Sequence, residues 1–168
     1  MEKEKTKLDF YFSVKKNFGF ENYLDNINHS ARTQLTKLRL SCHCLPVEIL
    51  RYSGIERKDR NCDICKSRNI GDEKHYLTEC LNAGMVEVRQ KFISDIKTLC
   101  PQMTAFSTKN IMTYCIAMKD EKIQKITAEF IKNLFKCYKA EKKLPPLHIL
   151  CLRHINKTKK QVSYKLLH

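Results

Sequence analysis

Apolar residues recur at intervals of three and four through most of this chain, the period of an amphipathic helix. Met85, Val88, Phe92, Ile96 and Leu99 follow one another at 3, 4, 4 and 3 positions, which predicts a helix over about 83–99 that Pro101 ends. Ile111, Met112, Cys115 and Ile116 predict a shorter helix over 107–118, after Ser107. Asp120 can cap the next, over 121–140, where Ile123, Ile126, Phe130, Ile131, Leu134 and Tyr138 share one face and Leu144-Pro145-Pro146 supplies the stop. Upstream the pattern is shorter. Leu8, Phe12 and Lys15-Lys16 suggest a first helix ending near Phe18-Gly19, and 20–27 has room for one or two more turns. Ser30 reads as an N-cap, with Ala31, Leu35 and Leu38 on one stripe running to about Leu40. Pro46 opens a short segment over 47–52 that Ser53-Gly54 breaks.

The stretch 55–71 departs from this pattern. It is polar, charged and turn-rich, so its backbone needs something other than an apolar core to order it. With 4 Gly, 4 Pro, no internal repeat and no Gly/Ser linker, the expectation is a mainly α, small helical domain.

Composition narrows the class. A chain of 168 residues has room for one domain of ordinary size, and 42% apolar with 30% charged residues suits a soluble fold with a core. Apolar runs are only a few residues long, so no membrane contact is expected. Met1-Glu2-Lys3-Glu4-Lys5 has no apolar stretch behind it, which predicts no secretory signal and an intracellular location, nucleus or cytoplasm. In that reducing setting nine cysteines read as metal ligands or buried thiols, not disulfides.

The net charge of +14 points toward a polyanionic partner, but it is unevenly spread. Residues 1–60 carry +4, residues 61–138 carry +3 and residues 139–168 carry +7. Of 32 basic residues 24 are Lys, a point charge without the planar fork by which Arg matches phosphate. A solvated Lys-coated surface and a dedicated nucleic-acid face both fit these counts.

The chemistry concentrates between 62 and 80. Cys62-x2-Cys65 in a turn places two thiolates on one side of a tight loop, and His75 and Cys80 follow after nine and four intervening residues. Three sulfurs and one imidazole make a closed tetrahedral set, structural in type because no position is left for water. Residues five apart on an ideal α-helix differ by about 140° and about 7.5 Å of rise. His75 and Cys80 therefore cannot both ligate from a regular helix, and Cys80 is expected at a distorted last turn of 3₁₀ or wider geometry. Cys42-His43-Cys44 is a second source of ligands, less suited to one tetrahedral ion and placed at a helix end where Cys is more often core. Cys100, Cys115, Cys137 and Cys151 lie on or near apolar faces and read as core thiols.

Around this set the sequence resembles the C-terminal region of the reverse transcriptases of non-LTR (LINE-type) retrotransposons. The resemblance rests on Ser30-Ala31-Arg32, on Leu35-Thr36-Lys37-Leu38-Arg39-Leu40-Ser41-x-His43-x-Leu45, on Glu48, Arg51-Tyr52, Ile55, Arg57, Arg60 and Cys62-x2-Cys65, and on Asp72-Glu73-x-His75-Tyr76-Leu77-x2-Cys80. It extends more weakly to Asn17–Leu24 and Phe130–Phe135. The resemblance implies that Cys62, Cys65, His75 and Cys80 bind a structural zinc ion in a Cys-Cys-His-Cys knuckle over 60–81. It also implies that the region helps to position template RNA or target DNA, with a reverse transcriptase polypeptide as a further partner. Leu50 stands where the family pattern has glycine, and Leu147–His168 matches nothing in it. The family's Tyr-x-Asp-Asp polymerase motif and a nuclease acidic triad are both absent. Asp95, Asp120 and Glu121 read as solvated charges and a cap, and His148 and His154 have no partner at a recognisable spacing. The sequence reads as the terminal fragment of such an element, or a stand-alone descendant of one.

The expected organisation is an N-terminal helical segment over 1–28, a helical zinc-finger domain over 29–140 and a basic tail over 141–168. The expected function is non-catalytic binding of RNA or DNA, with no small-molecule substrate. The candidate contacts are Arg51, Arg57, Lys58, Arg60, Lys66 and Arg68, with Tyr52 and Tyr76 as stacking groups and Lys157, Lys159, Lys160 and Lys165 adding phosphate affinity from the tail. At the family positions themselves the physical expectation is that Glu48 and the arginines form ion pairs that pack the loop, and a phosphate contact by Arg51, Arg57 or Arg60 is the rival. The alternative function is a structural or protein-interaction module, in which the apolar faces at 85–99 and 123–138 include an exposed patch.

Overall fold

Among the described residues seven α-helices account for most of the backbone. A computed structural model describes residues 7, 9–15, 19–65, 67–117 and 119–142. The helices are α1 (Asp9–Val14), α2 (Tyr23–Asn26), α3 (His29–Arg39), α4 (Pro46–Ile49), α5 (Ala83–Leu99), α6 (Thr108–Ala117) and α7 (Glu121–Lys142). Among the described residues the only β pairing is an isolated antiparallel bridge between Asn61 and Ile70. The fold is mainly helical, as the apolar periodicity requires.

α7 organises the packing. At 22 residues it is about 33 Å long, and it lies against α2, α3, α5 and α6. Its inward face is Ile123, Ala128, Phe130, Ile131, Leu134, Phe135 and Tyr138, and Ile126 sits at the margin, half-buried. The Phe92 ring of α5 stacks on Phe130 with centroids 4.3 Å apart. The apolar faces of 85–99 and 123–138 are buried between α5 and α7 and, for α7, against α3, while Val88 and Ile126 stay half-buried at the margin. Val14, Tyr23 and Ile27 from the N-terminal segment join the same core.

Side-chain caps set the helix starts. Asp120 Oδ1 accepts from the Ile123 N–H at 2.9 Å, as expected, and Ser107 Oγ accepts from the Asn110 N–H at 3.3 Å. Asn82 caps α5 through the Met85 N–H. The cap of α3, however, is Asn28 and not Ser30: its side-chain oxygen accepts from the Ala31 N–H at 2.9 Å, and Ser30 falls inside the first turn. At its other end α3 closes in a Schellman arrangement, Cys42 N–H to Lys37 C=O at 2.8 Å and Ser41 N–H to Leu38 C=O at 3.1 Å. The residue that turns the chain there is Ser41, at φ 48°. α7 runs two residues into the expected tail, to Lys142, and Leu144-Pro145-Pro146 and the rest of the tail lie outside the described residues.

Buried Arg39 ties the N-terminal helices to the rest. It donates to Glu21 at 2.9 Å and to the Ile116 carbonyl at the end of α6, and its guanidinium lies 4.8 Å from the centre of the Tyr23 ring.

Candidate metal centre

The stretch from Pro46 to Cys80 is held by stitches between its own segments. The Cys62 N–H bonds to Asn69 C=O, Gly71 N–H to Arg60 C=O and Val47 N–H to Gly71 C=O, at 2.8, 2.8 and 3.1 Å. A Cβ on Gly71 would meet the Pro46 ring at 2.9 Å, so only glycine lets the two strands of loop approach this closely. Gly54, in the left-handed region at φ 71°, ends the 3₁₀ turn Leu50–Ser53.

These stitches bring Cys62, Cys65, His75 and Cys80 together, their ligand atoms all within 4.8 Å of one another. Cys65 Sγ is 3.3 Å from both Cys62 Sγ and His75 Nε2, and Cys62 Sγ is 4.0 Å from Cys80 Sγ. These separations are far too long for disulfides. Cys62, His75 and Cys80 are buried, and Cys65 is partly exposed. Four such donors can hold a metal ion. Cys42-His43-Cys44 stays out of the cluster: Cys42 is exposed, Cys44 is core and His43 is engaged elsewhere.

Cys80 reaches the cluster through the distortion its spacing demands. The helical turn that starts at Glu73 widens to π geometry over His75–Glu79, and the Cys80 N–H bonds to the His75 carbonyl five residues back, at 2.8 Å. Cys80 itself is extended, at φ −60° and ψ 126°. Widening also turns three consecutive side chains, His75, Tyr76 and Leu77, inward. Tyr76 is fully buried and is core, not a stacking group.

Electrostatics within the cluster are steep. The adjacent Cys80 thiol, then His75 and Tyr76, pull the Cys62 thiol well below its usual value against the opposing effect of burial. Cys62 in turn pushes the Cys80 thiol up, and burial adds to this. Burial raises the Cys65 thiol, but bonds with Ser67 and His75 outweigh it and the net shift is downward, so Cys80 is the sulfur that resists ionisation unless a cation shares the site. Burial lowers the His75 imidazole, but hydrogen bonding to Cys62 and Cys65 outweighs it and the net shift is upward. His75 Nδ1 is buried without a hydrogen-bond partner, and the Glu79 carboxylate lies 3.9 Å away.

Around the cluster, residues quoted above for the retrotransposon resemblance meet one another. Asp72 Oδ1 accepts the His75 N–H at 3.0 Å, and its other oxygen pairs with Arg57 at 2.7 Å. Buried Glu73 accepts from Ser41 Oγ at 2.6 Å and lies 2.8 Å from His43 Nε2. The Leu45 N–H points at His43 Nδ1, which leaves the proton on Nε2, facing Glu73. Burial raises the Glu73 carboxyl, but these partners hold it below its usual value. Glu48 takes two bonds from Arg51, at 2.9 and 3.1 Å, and one ion pair from Lys7 at 3.1 Å. Arg60 donates to the carbonyls of Ile55 and Val47 at 2.8 and 2.9 Å.

The basic candidates thus divide. Arg51 and Arg57 are paired with carboxylates, Arg60 braces the loop, Lys58 pairs with Glu56 at the surface, and Arg68 is exposed. Lys66 lies outside the described residues. Lys7, Arg51, Arg57, Lys58, Arg60 and Lys74 line one groove of about 900 Å³, together with Asp9, Glu48, Glu56, Asp72 and Glu73. Tyr52 is 60% exposed beside it, with the Arg51 guanidinium 4.6 Å from the centre of its ring.

Two features escape the spacing of motifs. Asp63, inside the Cys-x2-Cys turn, accepts from the hydroxyls of Tyr76 and Tyr138 at 2.9 and 3.0 Å and pairs with Lys142 at 3.0 Å. The knuckle is thereby bonded to the last turns of α7. The signal for it in the sequence is that a tyrosine on a core face needs a partner for its hydroxyl. The other feature is Arg89, a basic residue in register with Met85, Phe92 and Ile96 on the buried stripe of α5.

Comparison with protein-family models, with curated proteins and with solved structures finds no match for this chain. Among the described residues no helix is long and apolar enough to cross a membrane.

Proposed function

We propose that this chain is a non-catalytic, zinc-stabilised nucleic-acid-binding module of the kind its motifs resemble. Zinc is favoured by the donor set, since three thiolates and an imidazole in a closed, nearly buried group suit a structural zinc ion. A tetrahedral zinc with bonds of about 2.0–2.3 Å spaces its donors about 3.5–3.8 Å apart, and the donors here are spaced 3.3 to 4.0 Å along the three edges described above. The ion would order the loop at 55–71, where the packing of apolar side chains is thin, and would hold Cys80 at the end of its widened turn. The acids that would suggest catalysis have other work: Asp95 pairs with Lys91, Asp120 caps α7 and Glu121 pairs with Lys125.

The observation that carries nucleic-acid binding is exposed Tyr52, whose ring lies against Arg51, a residue lining the groove of mixed charge. An open aromatic face can stack on a base while neighbouring cations follow the backbone. Because Arg51 and Arg57 already hold carboxylates, RNA or DNA has to compete for them, and a modest salt slope follows. The test is anisotropy of labelled single-stranded RNA and DNA 20-mers with the zinc-loaded chain across a KCl series. Binding should weaken as salt rises, and Tyr52→Ala should weaken it about tenfold, within the range for one stacked base. No binding at low salt, or binding indifferent to salt, refutes the proposal.

A second reading, a structural or protein-interaction zinc module that docks on a reverse transcriptase polypeptide, draws support from an apolar groove. It lies between α5 and α7, measures about 750 Å³ and includes Val88, Ile126 and Phe130. Metal binding without any nucleic-acid affinity favours this reading.

A further inference from the structure

Arg89 is 7% exposed, and no ion pair joins it to a carboxylate among the described residues. Its guanidinium donates to the Tyr76 carbonyl at 3.2 Å and to the Cys80 carbonyl. These are the backbone groups of the widened turn that carries His75 and leads into Cys80. Two carbonyls satisfy N–H groups but do not neutralise a buried charge, and an uncompensated buried cation is costly. One of those carbonyls belongs to Cys80, whose sulfur is a member of the cluster.

The charge arithmetic of the cluster supplies the missing partner. Three thiolates and a neutral imidazole around a divalent ion leave one net negative charge inside the fold. We propose that Arg89 is the counter-charge of this centre: it neutralises the anionic metal–thiolate group and sets its affinity for the ion, besides bracing the turn. Resting on the zinc reading, this adds a specific demand. The site is built for three ionised sulfurs, and a centre with one fewer negative charge has less need of the arginine.

The test is a double-mutant cycle read as metal affinity, by competition with a chromophoric chelator for Zn²⁺ and by the thiolate-to-metal absorption of Co²⁺. Arg89→Met removes the charge and keeps most of the stem, whereas Arg89→Lys keeps the charge. Cys65→His replaces the partly exposed sulfur with a neutral donor. If that variant holds no metal, Cys65→Ala, which leaves two thiolates and admits water, takes its place in the cycle. Arg89→Met should weaken metal binding more than tenfold in the native centre and less than threefold in the neutral one, and Arg89→Lys should recover most of the native affinity. Equal losses in the two backgrounds, or Arg89→Lys no better than Arg89→Met, overturn the proposal and leave Arg89 a brace for the backbone. Absence of metal from the unaltered chain is a separate result, which removes the zinc reading itself.

Discussion

Ser41 sets its backbone against its side chain. Its φ of 48° is left-handed, a conformation that costs an L-residue about 1–2 kcal/mol and that glycine adopts freely at the end of a helix. Its hydroxyl, however, donates at 2.6 Å to Glu73, which is 6% exposed. A hydrogen bond to a buried charged group contributes about 1.5–3 kcal/mol. Ser41→Ala loses the bond and keeps the strain, so it should destabilise the fold by about 1.5–3 kcal/mol. Ser41→Gly loses the bond but relieves the strain. After allowing for the greater freedom of glycine in the unfolded chain, it should be about 0.5–1 kcal/mol more stable than Ser41→Ala. Urea unfolding of the metal-loaded chain, followed by far-UV circular dichroism, gives both differences from the midpoints at a common slope. A glycine variant no more stable than the alanine variant refutes the strain argument. An alanine variant as stable as the native chain refutes the weight given to the Glu73 bond.

Phe92→Ala removes the ring stacked on Phe130 and should cost about 3–5 kcal/mol in the same assay; a loss below about 1 kcal/mol would mean that α5 and α7 do not pack as described. Gly71→Ala should destabilise by about 1–3 kcal/mol, because its Cβ meets the Pro46 ring, and native-like stability would show that the loop can open there. Burial raises the Glu48 and Glu21 carboxyls, but Arg51 and Lys7, and Lys15 and Arg39, outweigh it and hold both below the usual value. Their stabilisation is therefore complete above the unfolded carboxyl value and is lost as pH falls through the lower folded one. A urea midpoint series from pH 7 to 3 should show Glu48→Gln losing less stability than the native chain over the acid limb, and parallel curves would contradict the pairing. Tyr138→Phe should cost about 1 kcal/mol and speed hydrogen exchange in the last turn of α7; unchanged exchange would mean that Asp63 does not hold that turn.

Wherever one side of a helix meets the core, the sequence is legible, because burial writes itself into a period. The stripe at Met85, Phe92 and Ile96 and that at Ile111, Met112, Cys115 and Ile116 are buried as read. The site is legible for a different reason: Cys-x2-Cys followed by His-x4-Cys is a ligand set, and its last spacing excludes a regular helix in favour of a 3₁₀ or wider turn, of which the structure has the wider. The same turn misled the reading of Tyr76, since the rotation that brings Cys80 to the cluster also carries Tyr76 inward. The start of α3 was misplaced because Asn28 and Ser30 are both good caps and the apolar stripe starts only at Ala31. The partners of the basic residues were least accessible. Arg57 finds Asp72 fifteen positions on, and His43 finds Glu73 thirty positions on, across a loop whose path no local pattern records. Arg89 is visible as a charge in an apolar stripe, but its partners, the carbonyls of Tyr76 and Cys80, come from a turn whose path no local pattern records.

The widened turn makes the chain intolerant of length changes at one point. Residues four apart on a regular helix differ by about 40° and 6 Å, so deleting one residue between His75 and Cys80 would let both ligands share a helix face without distortion. It would also turn one of His75, Tyr76 and Leu77 out of the interior, where all three are now buried. Metal ligation and core filling thus count residues by different rules, and a five-residue turn satisfies both. The knuckle and the helical core are for that reason one cooperative unit, which should gain and lose order in a single step.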